Sequence, residues 1–200
     1  SEEHVEALVS MSKEHGWCLL PFGGGTNVSH ATRCPSKEQE PRPIISVDMK
    51  MMSRIRWINE EDGLAHVEAG ITGKALGNEM RKRGYCFGHE PDSLEFSTLG
   101  GWIATKASGM KRGKYGNIED IVKDVHMVGA EGLLATESKT TGRSALGLDL
   151  VSLLLGSEGC LGIITSATIR IWPLPESTDF ESVILPDFGQ GILFARDMAK

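Results

Sequence analysis

The residues best placed to do chemistry in this chain are small. Pro21, Phe22, Gly23, Gly24, Gly25, Thr26 and Asn27 carry three consecutive glycines into two polar side chains, directly after an apolar stretch. Residues without a Cβ let successive amide N–H groups converge on one oxyanion, and Thr26 and Asn27 add side-chain donors. Such a loop can hold a pyrophosphate without a cation. A plain tight turn between strands is the competing explanation, and the triplet alone does not decide. Two common phosphate cradles fail on spacing. A P-loop ends in Gly-Lys-Ser/Thr, yet Thr26 follows Gly25, Ala75 follows Gly73-Lys74 and Tyr115 follows Gly113-Lys114. A Rossmann fingerprint requires a third glycine where Val28 stands.

Two distant strings have the same character. One holds Asp92, Ser93, Leu94, Glu95, Phe96, Ser97 and Thr98, continues through Gly100-Gly101, and reaches Thr105, Lys106, Ala107 and Ser108. The other is Gly156-Ser157 followed by Glu158, Gly159, Cys160, Leu161, Gly162, Ile163 and Ile164. Each is weak evidence by itself. Together they read as three walls around one long polar ligand, a dinucleotide held by amides and hydroxyls. Around them, His89, Glu90 and Tyr115 could face such a ligand or bond only to the loop. Trp102 could stack on it or merely pack. Lys106, Lys111 and Arg112 could attract an anion or form a solvated basic loop. His66, in an alternating strand, reads as structural.

Bulk composition narrows the partners. The 200 residues are 40% hydrophobic and 24% charged, with net charge −6. That charge, without a basic stripe interleaved with aromatics, argues against nucleic acid. Glycine is high at 24 residues, against about 7% in average usage, and it clusters without a period. Cys18, Cys34, Cys86 and Cys160 are far apart and form no CxxC, so neither a disulfide framework nor a metal site is expected. No stretch is apolar over the length of a membrane span. The chain begins at Ser1 and its final residues, GQGILFARDMAK, read as helix, so a piece of a longer protein is expected.

The elements that must position these strings follow from periodicity. Val5, Leu8, Val9 and Met11 predict a helix over 2–13, closed by Gly16. WCLLPF predicts a strand running into the glycine loop, and Pro35–Pro43 a surface excursion. IISVDM predicts a buried strand. IRWINEEDGLAHVEAG predicts two strands around a turn at Glu61-Asp62-Gly63. TGKALGNEMRKRG predicts a helix with Thr72 as N-cap and Gly84 as C-cap. Residues 90–120 are expected to hold little regular structure. IVKDVHMVGAEGLLATE predicts a hairpin, LDLVSLLLG a short helix, and GCLGIITSATIRIWPLP one long strand. Helices and strands in mixed order, with hairpins prominent, give an α+β arrangement rather than a doubly wound sheet.

The strings PFGGGTNVS, HVEAGITG, GYCFGHEPDSLEFSTLGGWIATKASGMKRGKYGNIED and GSEGCLGIIT resemble the FAD-binding domain of the vanillyl-alcohol oxidase / p-cresol methylhydroxylase flavoprotein superfamily. Within it, HEPDSLEFST, Trp102 after Gly101, and GNIED resemble the ether-lipid synthases, the alkyldihydroxyacetonephosphate synthase family. The resemblance implies two α+β subdomains with FAD between them, a domain over 1–175 with an incomplete N-terminal edge, and the start of a substrate domain over 176–200. It implies noncovalent FAD, since no histidine lies inside the glycine loop and His30 follows it. Pro21–Asn27 would wrap the pyrophosphate, Asp92–Thr98 and Thr105–Ser108 would line the flavin and ribityl chain, and Glu158–Ile164 would lie along the adenosine. The implied reaction exchanges the acyl chain of acyl-dihydroxyacetone phosphate for a long-chain fatty alcohol, in a peroxisomal homodimer with peripheral membrane contact. The family's acid–base and phosphate-binding residues would lie beyond residue 200, so no catalytic residue is expected within this chain. An FAD-dependent 2-hydroxy-acid dehydrogenase of the same superfamily is the alternative, and a non-catalytic flavin- or nucleotide-binding module a second. Asn27 stands where the synthases carry serine, Cys160 where they carry threonine, and GRSALGLDL (Gly142–Leu150) departs from their pattern.

Overall fold

In the computed structural model, residues 1–135 and 147–199 are described. Most of the GRSALGLDL departure therefore lies outside the described residues. Helix α1 spans Glu2–His15; the Ser1 hydroxyl accepts the His4 amide, and Gly16 ends the helix at φ 68°. Strands β1 (Cys18–Phe22) and β2 (Ile44–Asp48) pair in parallel, with Phe22 opposite Asp48. IISVDM is thus not a buried strand. Among the described residues it pairs only with β1, and Ser46 and Asp48 are exposed.

Next come β3 (Ile55–Asn59) and β4 (Leu64–Glu68), the predicted hairpin, then α2 (Gly73–Lys82). The Thr72 hydroxyl caps α2 by accepting the Ala75 amide. Leu76 and Met80, one turn apart, bury its inner face. The C-cap is Arg83 rather than Gly84; Gly84 follows at φ 79° and donates its amide to the Arg81 carbonyl.

After β5 (Tyr85–Cys86), the stretch expected to be irregular carries three short helices: α3 (Leu99–Thr105), α4 (Arg112–Tyr115) and α5 (Ile118–Ile121). Leu99, Trp102 and Ile103 are buried at helical spacing. Gly100 and Gly101 disguise that pattern, because glycine is a poor helix former.

The chain closes with β6 (Val122–Gly129), β7 (Gly132–Ala135), α6 (Leu150–Leu154), β8 (Ile163–Arg170), β9 (Trp172–Pro173) and α7 (Phe188–Met198). The predicted long strand stops at Arg170 and resumes as β9, which leaves the main sheet to pair with β5. The main sheet is antiparallel in the order β3-β4-β8-β6-β7. Its central strand, β8, is buried on both faces along seven of its eight residues. One face carries Ala65, Val67, Val125, Ala167 and Ile169 into a core shared with α2, α3, α5 and α6. A smaller cluster of Val5, Met49, Met52, Val128 and Ile163 ties α1 and the β2 end to the sheet. Among the described residues, no helix is long and apolar enough to cross a membrane.

Candidate dinucleotide site

The three small-residue strings meet. A Cβ on Gly23 would overlap the Thr98 hydroxyl, and one on Gly24 would overlap the Phe96 carbonyl oxygen and lie 2.9 Å from Ser97 Cα. The glycine loop and the second string therefore dock backbone to backbone. Gly25 turns the loop at φ 64°. The third string is tied to the end of α3, where the Gly156 amide donates to the Ile103 carbonyl and the Glu158 amide to the Ala104 carbonyl, at 2.9 and 2.8 Å. It also reaches the first string, since a Cβ on Gly159 would sit 3.5 Å from the Pro21 ring.

Between them lies a cleft of about 620 Å³, within the range of small-molecule and cofactor sites. Pro21 through Asn27, Asp92, Ser93, Ser97, Thr98, Thr105, Ala107, Ser108, Glu158, Gly159, Gly162 and Ile164 line it. Other predicted residues do not. Leu94 packs on the core, and Ile163 is buried in the smaller cluster. Glu95 pairs with Lys74 at 3.2 Å on the surface. Phe96 contributes its backbone to the Gly24 contact while its ring is exposed. Lys106 terminates α3 at φ 49°. Cys160 and Leu161 are exposed outside the lining.

The sequence reading missed Val28, Ser29, Ala31, Thr32, Met49, Ala69, Pro91 and Ala104, which complete the lining together with Gly100, Gly101 and Trp102. Ala104 had a signal: it lies one helical turn from Gly100 and Gly101, on the face of α3 left bare by small residues. Met49 and Ala69 had none. The β1–β2 pairing carries Met49 to the cleft, and Ala69 lies where α3 meets the end of β4, 2.9 Å from a Cβ placed on Gly100.

The chemistry of the lining is specific. Asp92 and Glu158 are its charged residues, and among the described residues no lysine, arginine or histidine lines the cleft. The amides of Gly24, Gly25 and Thr26 have no backbone acceptor among the described residues. Amides without an internal acceptor can donate to the oxygens of an anion such as a diphosphate. The carboxylates can accept from hydroxyl-bearing portions of a ligand. Asn27 is held in place by bonds to Ser29 and Thr32.

Behind the lining, the Trp102 indole N–H donates to Ser97 Oγ at 2.7 Å, so Trp102 packs and also borders the cleft. His89 stands edge-on to Trp102 with ring centroids 5.0 Å apart. It is 1% exposed, and neither ring nitrogen has a hydrogen-bond partner among the described residues. Burial depresses its pKa to about 4, keeping the ring neutral at pH 7. Lys111 is paired with Glu90 at 2.7 Å, and Tyr115 packs edge-on against Trp172.

Residues 1–137 match the family model described as FAD binding domain. The chain is 42% identical over 199 residues to an alkyldihydroxyacetonephosphate synthase of Caenorhabditis elegans, covering 100% of this chain and 33% of that protein. It is 31% identical over 176 residues to a mitochondrial D-lactate dehydrogenase (cytochrome) of Arabidopsis thaliana, covering 88% of this chain and 30% of that one. A solved structure of alkyldihydroxyacetonephosphate synthase superposes with a TM-score of 0.80 at 38% identity, covering 88% of this chain and 31% of that chain. The chain thus spans about a third of the length of the curated relatives it matches.

Proposed function

We propose, from the premise that this chain belongs to the FAD binding domain family, that it is the flavin-holding part of an alkyldihydroxyacetonephosphate synthase. The whole protein would exchange the acyl chain of acyl-dihydroxyacetone phosphate for a long-chain fatty alcohol, forming an ether bond. One observation carries the site: three strings far apart in sequence line a single cleft with amides lacking a backbone acceptor at one wall and, among the described residues, no cationic side chain.

Within that reading, Gly24, Gly25 and Thr26 hold the pyrophosphate through backbone amides. Ser97, Thr98, Thr105 and Ser108 line the second string beside them; the Ser97 and Thr105 protons are spent on the Ser93 and Gly101 carbonyls, so these two face a ligand as acceptors, and Asp92 and Glu158 accept from ligand hydroxyls. Trp102 and Ala104 close the apolar side and exclude water. When bound, FAD supplies the electron-accepting ring system that the reaction uses. Residues 1–175 form the flavin unit, and 176–200 begin the substrate domain. In support, α7 buries none of its residues against the rest of the chain. The reading carries with it noncovalent FAD, peroxisomal ether-lipid and plasmalogen synthesis, a homodimer and peripheral membrane contact.

The test uses full-length protein. Purified enzyme is expected to carry a flavin that acid releases, and to incorporate labelled fatty alcohol when acyl-dihydroxyacetone phosphate is supplied. Anaerobic addition of a 2-hydroxy acid is expected to leave the flavin oxidised. Bleaching by the hydroxy acid without ether formation would replace this reading with the dehydrogenase one. Protein without flavin would remove both.

A further inference from the structure

The sheet face opposite the main core brings together a side-chain set that no spacing in the chain reveals. Register places His66 on β4, Thr168 on β8 and Asp124 on β6 in one row across three strands. Ser166 and His126 are partners in the neighbouring row. Because strand side chains alternate, all five share this face. One ligating atom each from His66, Asp124 and His126 lie within 4.8 Å of one another. His126 Nε2 is 3.6 Å from Asp124 Oδ2, and the two imidazole rings meet edge-on at 4.8 Å. A second carboxylate arrives from the first turn of α1: Glu2 Oε1 is 3.3 Å from His126 Nδ1. His66 and Asp124 are each 4% exposed.

From this we propose a binding site for a divalent transition-metal ion of the zinc type, with His66, Asp124 and His126 Nε2 as ligands, and with Glu2 behind His126, accepting its Nδ1–H rather than touching the ion. Two imidazoles and one carboxylate, with water in the fourth position, form a nitrogen–oxygen donor set suited to such ions. Tetrahedral bonds of about 2 Å separate ligand atoms by about 3.3 Å, so the set closes on a metal through side-chain rotation on fixed strands. The hydroxyls already supply the outer support such sites use. Ser166 spends its proton on Glu2 Oε1 at 3.0 Å, so it accepts from His66 Nε2–H. That leaves the His66 Nδ1 lone pair facing Thr168, in the row leading to Asp124. The metal would take the position that the Thr168 proton serves in its absence. It would brace β4 and β6 and tie α1 to them through Glu2.

The site is separate from the dinucleotide cleft, and its test is independent of the flavin reading. Full-length flavin-loaded protein, stripped with EDTA, is titrated with zinc chloride beside His126→Gln and Asp124→Asn. The unaltered protein is expected to bind one zinc more per chain than either variant, or to bind it at least about tenfold more tightly. Its unfolding midpoint is expected to rise with zinc while theirs do not. Asp124→Asn preserves side-chain shape and decides the matter where His126→Gln does not fold. Equal zinc uptake, affinity and midpoint response in the unaltered protein and a folded variant would overturn the proposal.

Discussion

Gly23, Gly24 and Gly25 look alike in the sequence and do different work. Gly24 is glycine because the Phe96 carbonyl occupies the space of its Cβ. Gly25 is glycine because the backbone turns left-handed there. Thr26, beside them, is exposed. Gly24→Ala is therefore expected to cost about 3 kcal/mol or more through forced separation of the two strings, and to lose flavin and thermal stability together. Gly25→Ala is expected to cost about 1–2 kcal/mol from the left-handed conformation. Thr26→Ala keeps the amide and removes only the hydroxyl, a second donor beside it; it is expected to leave stability within about 0.5 kcal/mol and weaken flavin retention about tenfold, the worth of roughly one hydrogen bond to a charged group. Thermal unfolding and flavin content measured on the same three variants separate these roles. Equal flavin loss without destabilisation in Gly24→Ala would show that ligand approach, not docking, requires the glycine.

At the scale of elements, the cleft depends on how closely α3 approaches β4. A Cβ on Gly100 would lie 2.9 Å from that of Ala69 and 3.1 Å from its carbonyl oxygen. Gly100→Ala is expected to shift α3 by a few tenths of an ångström and lower flavin affinity while the fold persists. Gly16→Ala makes the contrast. Its left-handed φ would be strained by about 1–2 kcal/mol, yet no atom lies within 4 Å of the added Cβ. It is expected to lower the unfolding midpoint and leave flavin affinity unchanged. The end of α1 and the start of α2 were legible because Gly16 and Thr72 satisfy terminal backbone groups locally. Helix α3 was not, because two glycines dilute its periodicity and tertiary packing of Leu99, Trp102 and Ile103 supplies what propensity lacks.

At the scale of the whole molecule, buried His89 links the fold to pH. Its folded pKa, near 4, lies below the ordinary 6.5, so the unfolded chain binds a proton that the folded one refuses. The corresponding stability is present above about pH 6.5 and is lost as pH falls toward 4, by at most about 3 kcal/mol. His89→Phe is expected to flatten that part of the stability profile in pH-dependent unfolding. An unchanged slope would mean that His89 keeps its proton in the folded state. The sequence by itself determined what short-range chemistry encodes: the α+β class, the extent of α1 and the start of α2, both hairpins, and three small-residue strings suited to a dinucleotide. Those features depend on backbone conformation and side-chain size, which neighbours in the chain largely specify. Only the tertiary structure decided that the strings touch, that Gly23 and Gly24 serve docking, and that Met49, Ala69 and the His66–Asp124–His126 set fall where they do. Strand pairing joins residues tens of positions apart, and no local pattern reports which strand a given row will meet.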